Sequence, residues 1–162
     1  PHHSDAISIF PPVIEAIANA DLIILGPGDL FTSIIPNLIV PGMAEALAQS
    51  KAPILYLLNI MTKYGETHNF KARDFVSALE AHMHRPVDGI LYNNRKPTPE
   101  QIALYRAQKA EWVVIEPNDP FWRGRERFAA DLIEADGQVL RHDSIKLADE
   151  VRRIVLEGLL CR

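Results

Sequence analysis

The residues with the greatest chemical potential follow a short apolar run in the stretch ADLIILGPGDLFTSIIPNLIVPG. Gly26, Pro27 and Gly28 interrupt the run, and Thr32 and Ser33 come soon afterwards. Glycines let a backbone approach a ligand closely, and amides and hydroxyls at such a turn can donate hydrogen bonds to phosphate oxygens. The same residues also suit an ordinary turn between a strand and a helix, so both interpretations are open.

Asp29 favours the ordinary turn. Its carboxylate would repel a phosphate unless a cation lay between them. It also stands where an acidic side chain commonly caps the following helix, and we predict that its carboxylate does so.

Two further polar loops follow apolar runs. In NIMTKYGETHNF the polar residues are Asn59, Thr62, Lys63, Glu66, Thr67 and His68. This loop is longer than packing requires, so we interpret it as ligand-lining rather than merely solvated. In YNNRKP, Asn93 and Asn94 can donate and accept hydrogen bonds, which suits a base or sugar edge. An Asn pair is equally typical of a left-handed turn.

Other chemistries find little support. His82 and His84 are two residues apart on a predicted helix and so cannot share a metal ion. The RHD motif at 141–143 has two interpretations: His142 reaches a ligand, or the motif is a helix start with Asp143 or Ser144 as N-cap, which is the more typical one. No Ser-His-Asp spacing, HExxH or GxxxxGK[ST] motif occurs. We therefore predict no metal site, and the catalytic residues, if any, are unknown.

The elements that must position these loops alternate between apolar runs and amphipathic segments, which is the βαβ signature. The predicted strands are 22–25, 54–58, 89–92 and 112–115, and the predicted helices are 12–19, 42–49, 71–84, 99–107 and 145–160. A helical turn or two is predicted at 30–35, a loop at 118–128 and a turn at Asp136-Gly137. The last helix has a predicted core stripe of Leu147, Ala148, Val151, Ile154, Val155 and Leu159.

This pattern predicts a three-layer α/β/α, Rossmann-like fold with a mainly parallel sheet, formed by residues 1–162 as a single α/β unit. In open sheets of this kind, ligands sit outside the carboxyl ends of the strands. The three polar loops all follow predicted strands, so we expect them at that edge of the sheet.

The bulk composition excludes several classes of protein. At 162 residues the net charge is −4, which argues against a dedicated nucleic-acid binder. No apolar run approaches the roughly 20 residues that span a bilayer, and no signal-peptide pattern opens the chain. Cys161 is the single cysteine, so no disulfide forms within the chain. We expect a cytoplasmic protein with no nucleic-acid partner and no membrane span.

Four stretches together resemble the gluconeogenesis factor family: ADLIILGPGDLFTSIIPNLIVPGMAEAL, KAPILYLLNIMTKYGET, YNN and RHDSIKLA. The family comprises YvcK-type bacterial proteins and is related to the 2-phospho-L-lactate transferase CofD. The resemblance is dense from about Asp21 to Asn94. It implies that this chain is the C-terminal half of a larger domain, whose Gly-rich N-terminal half lies outside this sequence and is its partner.

The resemblance further implies that a nucleotide-sugar, such as a UDP-sugar, binds in a cleft lined by these loops. The implied role is regulation of carbon metabolism and of cell-wall precursor supply or cell shape, with no defined reaction. The implied ligand-binding residues are Gly26, Pro27, Gly28, Thr32, Ser33, Asn59, Met61, Thr62, Gly65, Glu66, Thr67, Asn93 and Asn94. Relatives usually have serine where Asp29 stands and tyrosine where Phe31 stands, which leaves backbone amides as the phosphate donors there. A homo-oligomer is also expected.

Two alternatives stay open. A CofD-like transferase would move phospholactate to a deazaflavin with Mg²⁺, and its acidic metal-binding residues would lie in the half outside this sequence. A structural or oligomerisation half would bind little ligand by itself.

Overall fold

The computed structural model describes residues 7–134, 139–158 and 160. In this part of the chain four strands form one sheet in the order β1-β2-β3-β4, and each neighbouring pair is parallel. The strands are β1 (Ile23–Leu25), β2 (Ile54–Leu57), β3 (Gly89–Asn93) and β4 (Glu126–Ala130). The helices are α1 (Pro11–Ala18), α2 (Ile35–Leu38), α3 (Met43–Gln49), α4 (Ala72–Met83), α5 (Pro99–Ala107) and α6 (Ser144–Leu156). The predicted α/β fold with a mainly parallel sheet is confirmed.

Strand β2 explains why the sheet is covered on both faces. All four of its residues are buried, and successive side chains of a strand point to opposite faces. Ile54 and Tyr56 join a core cluster that includes residues of α4, among them Phe75. Leu55 and Leu57 join a second cluster that includes Ile154 of α6. An apolar run with no polar alternation therefore builds a core on each side of the sheet.

The predicted strand at 112–115 is wrong. That segment makes one isolated antiparallel bridge, between Trp112 and Met61. Its backbone is hydrogen-bonded to the second polar loop and the start of α4 instead: the Val113 amide donates to the Ile60 carbonyl over 3.0 Å, and the Ala72 amide donates to the Val114 carbonyl over 3.3 Å. A β-type sequence pattern reports an extended, half-buried backbone and does not specify its partner.

The fourth strand is β4, which lies mostly within the predicted loop at 118–128. It pairs with β3 from Gly89 opposite Glu126 to Asn93 opposite Ala130. Its burial alternates, with Phe128 and Ala130 buried, but the hydrophobic pattern of its sequence is weak, because two charged residues open the strand. A three-residue 3₁₀ turn, Pro120–Trp122, precedes it.

Helix α6 begins at Ser144, directly after its predicted N-cap, and ends before the predicted residue 160. The Asp143 carboxylate accepts hydrogen bonds from the Ile145 and Lys146 amides, so the predicted N-cap is confirmed. The helix ends at Leu156, and Ala148 and Val155 are exposed, so their predicted place in the core stripe is wrong. The predicted turn at Asp136-Gly137, Leu159 and Cys161 lie outside the described residues.

Within the described ranges, no single helix has the length and apolar character needed to cross a membrane. The segments Leu30–Leu38 and Met43–Gln49 pass that test only as a pair, with a bend of 75° between them.

Candidate ligand-binding cleft

An open cleft of about 670 Å³ lies at the carboxyl ends of β1 and β2. Four parts of the chain form its wall: the glycine turn at 27–29, the second polar loop at 59–64, residues in and after α5, and the segment 140–142. This volume lies within the range of sites that hold small molecules and cofactors. The cleft is where the sheet rule places a ligand.

The local fold by itself favours glycine at both glycine positions of the turn. Gly26 has φ of +88°, and a Cβ there would lie 3.2 Å from the Leu57 carbonyl oxygen. A Cβ on Gly28 would lie 3.2 Å from the Ser33 Cβ. Pro27 and Gly28 line the cleft, whereas Thr32 and Ser33 are exposed on a five-residue π-helical turn, Leu30–Ile34, outside the cleft wall.

Asp29 does not cap the following helical turn, so that prediction is wrong. Its carboxylate makes no capping hydrogen bond; its backbone carbonyl accepts from the Ser33 and Ile34 amides. The side chain reaches Lys63 of the second loop, whose Nζ lies 2.7 Å from Asp29 Oδ2. Lys63 Nζ also lies 2.7 Å from Glu66 Oε1. The hydrogen bond to Asp29, and then that to Glu66, raises the pKa of the Lys63 amine.

Asn59 joins the second loop to the glycine turn. Its Nδ2 donates to the Gly28 carbonyl over 3.0 Å, and its Oδ1 accepts from the Tyr56 hydroxyl over 3.0 Å. Tyr56 is fully buried in β2, and this burial raises the pKa of its phenol, which therefore stays a neutral donor. A buried strand residue thus fixes the amide that holds the turn.

Other predicted residues of the second loop shape the loop. Thr62 is buried; its Oγ1 accepts from the Glu111 amide over 2.8 Å, and its own amide donates to the Glu111 carbonyl over 2.7 Å. Thr67 Oγ1 accepts from the Lys63 amide over 2.9 Å. Gly65, with φ of +85°, turns the chain between them. Met61 and Thr62 line the cleft, whereas Gly65, Glu66 and Thr67 are not among its lining residues.

The third loop stands apart from the cleft. Asn93 is buried; its Oδ1 accepts from the Leu132 and Arg95 amides, and its Nδ2 donates to the Arg95 carbonyl. Asn93 and Asn94 line a smaller pocket of about 180 Å³ beside Trp112. Strand β2 lies between β1 and β3 in the sheet. The loop after β3 is therefore farther from the glycine turn than the loop after β2 is.

The structure adds cleft residues that sequence reasoning did not select. Tyr105 and Gln108 come from α5 and the residue that follows it, and Arg141 and His142 come from the segment before α6. The Tyr105 hydroxyl accepts from the Leu140 amide over 3.0 Å, which holds the two segments together. The RHD motif was a signal for Arg141 and His142. Nothing in the local sequence singles out Tyr105 or Gln108.

His142 presents an uncharged ring at this wall. Burial lowers the pKa of its imidazole, and the Leu58 carbonyl partly opposes this effect. The ring is therefore neutral at neutral pH.

The acidic groups beside the cleft do not fit a magnesium site. Both Asp29 and Glu66 contact the Lys63 ammonium, so each carboxylate already has a cationic partner within the chain. The described ranges contain no group of three or more His, Cys, Asp or Glu residues arranged to hold a metal ion.

A parallel sheet with a polar cleft at its carboxyl edge is the arrangement typical of Rossmann-like α/β units. The family model described as 2-phospho-L-lactate transferase CofD matches residues 2–133. The chain belongs to this CofD family.

Its relatives confirm the resemblance seen in the sequence. A Thermotoga maritima protein named "Putative gluconeogenesis factor" is 42% identical over 151 residues, which cover 91% of this chain and 48% of that protein. A Deinococcus radiodurans protein of the same name is 40% identical over 87% of this chain and 30% of its own length. A solved Bacillus halodurans structure, described as a member of the UPF0052 family, has a TM-score of 0.83 and 34% identity over 90% of this chain and 47% of its own. The chain thus spans half or less of the length of these relatives.

Proposed function

We propose that the protein carrying this chain binds a nucleotide-sugar, such as a UDP-sugar, in the cleft at the carboxyl ends of β1 and β2. The observation that carries the proposal is the composition of the cleft wall. A glycine turn, two cations (Lys63 and Arg141) and several polar side chains line a space of about 670 Å³. An anionic diphosphate suits the cations, and the polar side chains suit a base and a sugar.

The role that fits such a binder is regulatory. Relatives that cover this chain carry the name of a gluconeogenesis factor. We propose that the bound nucleotide-sugar reports on carbon supply and adjusts carbon metabolism, cell-wall precursor supply or cell shape. The cleft then acts as a sensor, with no bond made or broken.

Calorimetric titration of the full-length protein with UDP-sugars tests this proposal. We expect saturable binding of at least one UDP-sugar, and weaker binding by the 162-residue chain alone, because the rest of the domain is expected to complete the site. GDP-sugars and ADP-sugars serve as matched ligands. Absence of binding by every UDP-sugar, together with clear binding of another ligand, would contradict the proposal.

The match to the CofD family model supports a second candidate, a transferase that moves phospholactate to a deazaflavin. Incubation of the full-length protein with a deazaflavin acceptor, a guanylylated lactyl donor and Mg²⁺ distinguishes the two. Formation of the phospholactyl product would favour the transferase. Binding of a UDP-sugar without turnover would favour the sensor.

A further inference from the structure

The contact between Asp29 and Lys63 joins two segments of the cleft wall. Asp29 belongs to the glycine turn and Lys63 to the second loop, and both residues line the cleft wall. Lys63 Nζ and Asp29 Oδ2 are 2.7 Å apart, and the two side chains are 50% and 44% exposed. The ammonium that an anionic ligand would meet is therefore already paired with a carboxylate of the facing loop.

This ion pair is of a kind that a ligand can replace. Pairs of exposed charges contribute about 0.2–1 kcal/mol at most, because water screens them and two flexible side chains must be ordered. A phosphate is a stronger partner for an ammonium, since it carries more charge and more acceptor oxygens. Exchange of Asp29 for a phosphate at Lys63 is therefore favourable.

Glu66 differs from Asp29 in its place. It lies three residues after Lys63 in the same loop, its side chain is 21% exposed, and it is not a lining residue of the cleft. Its contact with Lys63 is therefore compatible with a ligand in the cleft, whereas the contact from Asp29 is made by a residue that lines the cleft. Of the two carboxylates, Asp29 is the one that an entering anion displaces.

We propose that Lys63 binds the anionic group of the ligand, and that Asp29 holds Lys63 in the ligand-free protein as an intramolecular competitor. This inference rests on the proposed function only in taking the ligand to be anionic. Ligand entry exchanges one ion pair for another. The exchange lowers the affinity for the ligand and makes that affinity depend on the charge at position 29.

The test compares Asp29→Asn, Lys63→Gln and the double variant in the full-length protein, by calorimetry with UDP, uridine and inorganic pyrophosphate. Asp29→Asn should tighten UDP and pyrophosphate about two- to fivefold, which corresponds to the loss of one exposed competing pair. Lys63→Gln should weaken both about tenfold or more, since it removes a hydrogen bond to a charged group. Uridine, which carries no phosphate, should respond to neither.

The double variant isolates the competition. If Asp29 acts through Lys63, then Asp29→Asn should give a much smaller gain in the Lys63→Gln background. Glu116→Gln is the matched control, because Glu116 pairs with Lys71 over the same 2.7 Å, with both side chains exposed and outside the cleft wall. Glu116→Gln changes the net charge by the same amount as Asp29→Asn does. It should leave the affinities for UDP, uridine and pyrophosphate unchanged.

The outcomes separate this inference from the proposed function. If no UDP-sugar binds but pyrophosphate responds to Asp29 and Lys63 as expected, the nucleotide-sugar proposal fails and the inference stands. If UDP binds and Asp29→Asn leaves its affinity unchanged or weaker, the inference is overturned. It is also overturned if Asp29→Asn and Glu116→Gln have equal effects, or if pyrophosphate and UDP both fail to bind the Asp29→Asn variant.

Discussion

Both ends of the Asn93 amide are engaged within the protein. The side chain links the end of β3 to Arg95 and to Leu132 through three hydrogen bonds of 2.7–3.3 Å. A buried amide that is used in this way fixes the backbone around it and has little capacity left for a ligand. The family resemblance implies a ligand-binding role for this residue, and substitution separates the two roles.

We predict that Asn93→Ala lowers the free energy of unfolding by about 1–3 kcal/mol, because it leaves the amides of buried Leu132 and half-buried Arg95 without their acceptor. Urea denaturation measures this change. The affinity for the ligand of the cleft should stay unchanged in the folded protein. A fall in affinity at unchanged stability would instead assign Asn93 to the ligand site. Asn94→Ala, at the exposed neighbour, is the control and should alter neither quantity.

At the scale of secondary-structure elements, an ion pair joins α4 to the residue just before β4. The Arg125 Nε and Nη2 atoms contact the two oxygens of Glu80 over 3.0 and 2.7 Å, and both side chains are more than four-fifths covered. The guanidinium also lies over the Phe121 ring, 4.3 Å from its centroid. This clamp fixes where the chain enters β4, a strand with a weak hydrophobic pattern of its own.

We predict that Arg125→Met destabilises the protein by about 2 kcal/mol, since it leaves a largely buried Glu80 carboxylate without its charged partner. Adding Glu80→Gln should recover part of this loss, because the uncompensated charge is then gone. Denaturant titration checks both variants. Arg153→Met, on the more exposed face of α6, should change stability by less than about 0.5 kcal/mol. Equal losses at Arg125 and Arg153 would contradict the role of the clamp.

At the scale of the whole molecule, β1 is the edge strand that bears on how this chain joins the rest of the protein. One side of β1 pairs with β2, and among the described residues no strand pairs with its other side. Ile24 in the middle of β1 is 42% exposed. An apolar strand with an open edge is a template for a further strand, which agrees with the expectation that this chain is half of a larger domain.

We therefore predict that the amides of β1 exchange with deuterium faster in the 162-residue chain than in the full-length protein. Amides of β2, which has a neighbour on each side, should exchange at similar rates in both. Hydrogen exchange followed by mass spectrometry of fragments covering 20–28 and 52–60 measures the difference. Equal exchange of β1 in the two forms would mean that the rest of the protein does not cover this edge.

The elements that were predictable are those with a strong local pattern. β2 is an unbroken apolar run, and α4 carries Phe75, Val76 and Leu79 at helical spacing, so each was placed to within about one residue. The polar loops after β1 and β2 were also predictable, since a parallel sheet brings its carboxyl ends to one edge. The segments 112–115 and 126–130 were not, because extended chain becomes a strand only when a neighbouring edge accepts its hydrogen bonds.

The sequence by itself determined the α/β alternation, the glycine turn and the place of two loops that line the cleft, since these depend on residues close together in the chain. Only the tertiary structure decided which loops share a cleft. The tertiary structure places Asn93 outside the cleft that contains the glycine turn, and it places Tyr105 and Arg141 in that cleft. It also placed Lys63 against Asp29, 34 residues away in the chain. Charges so far apart in sequence meet only after the sheet has set the distance between the loops, so local pattern carries no signal for their pairing.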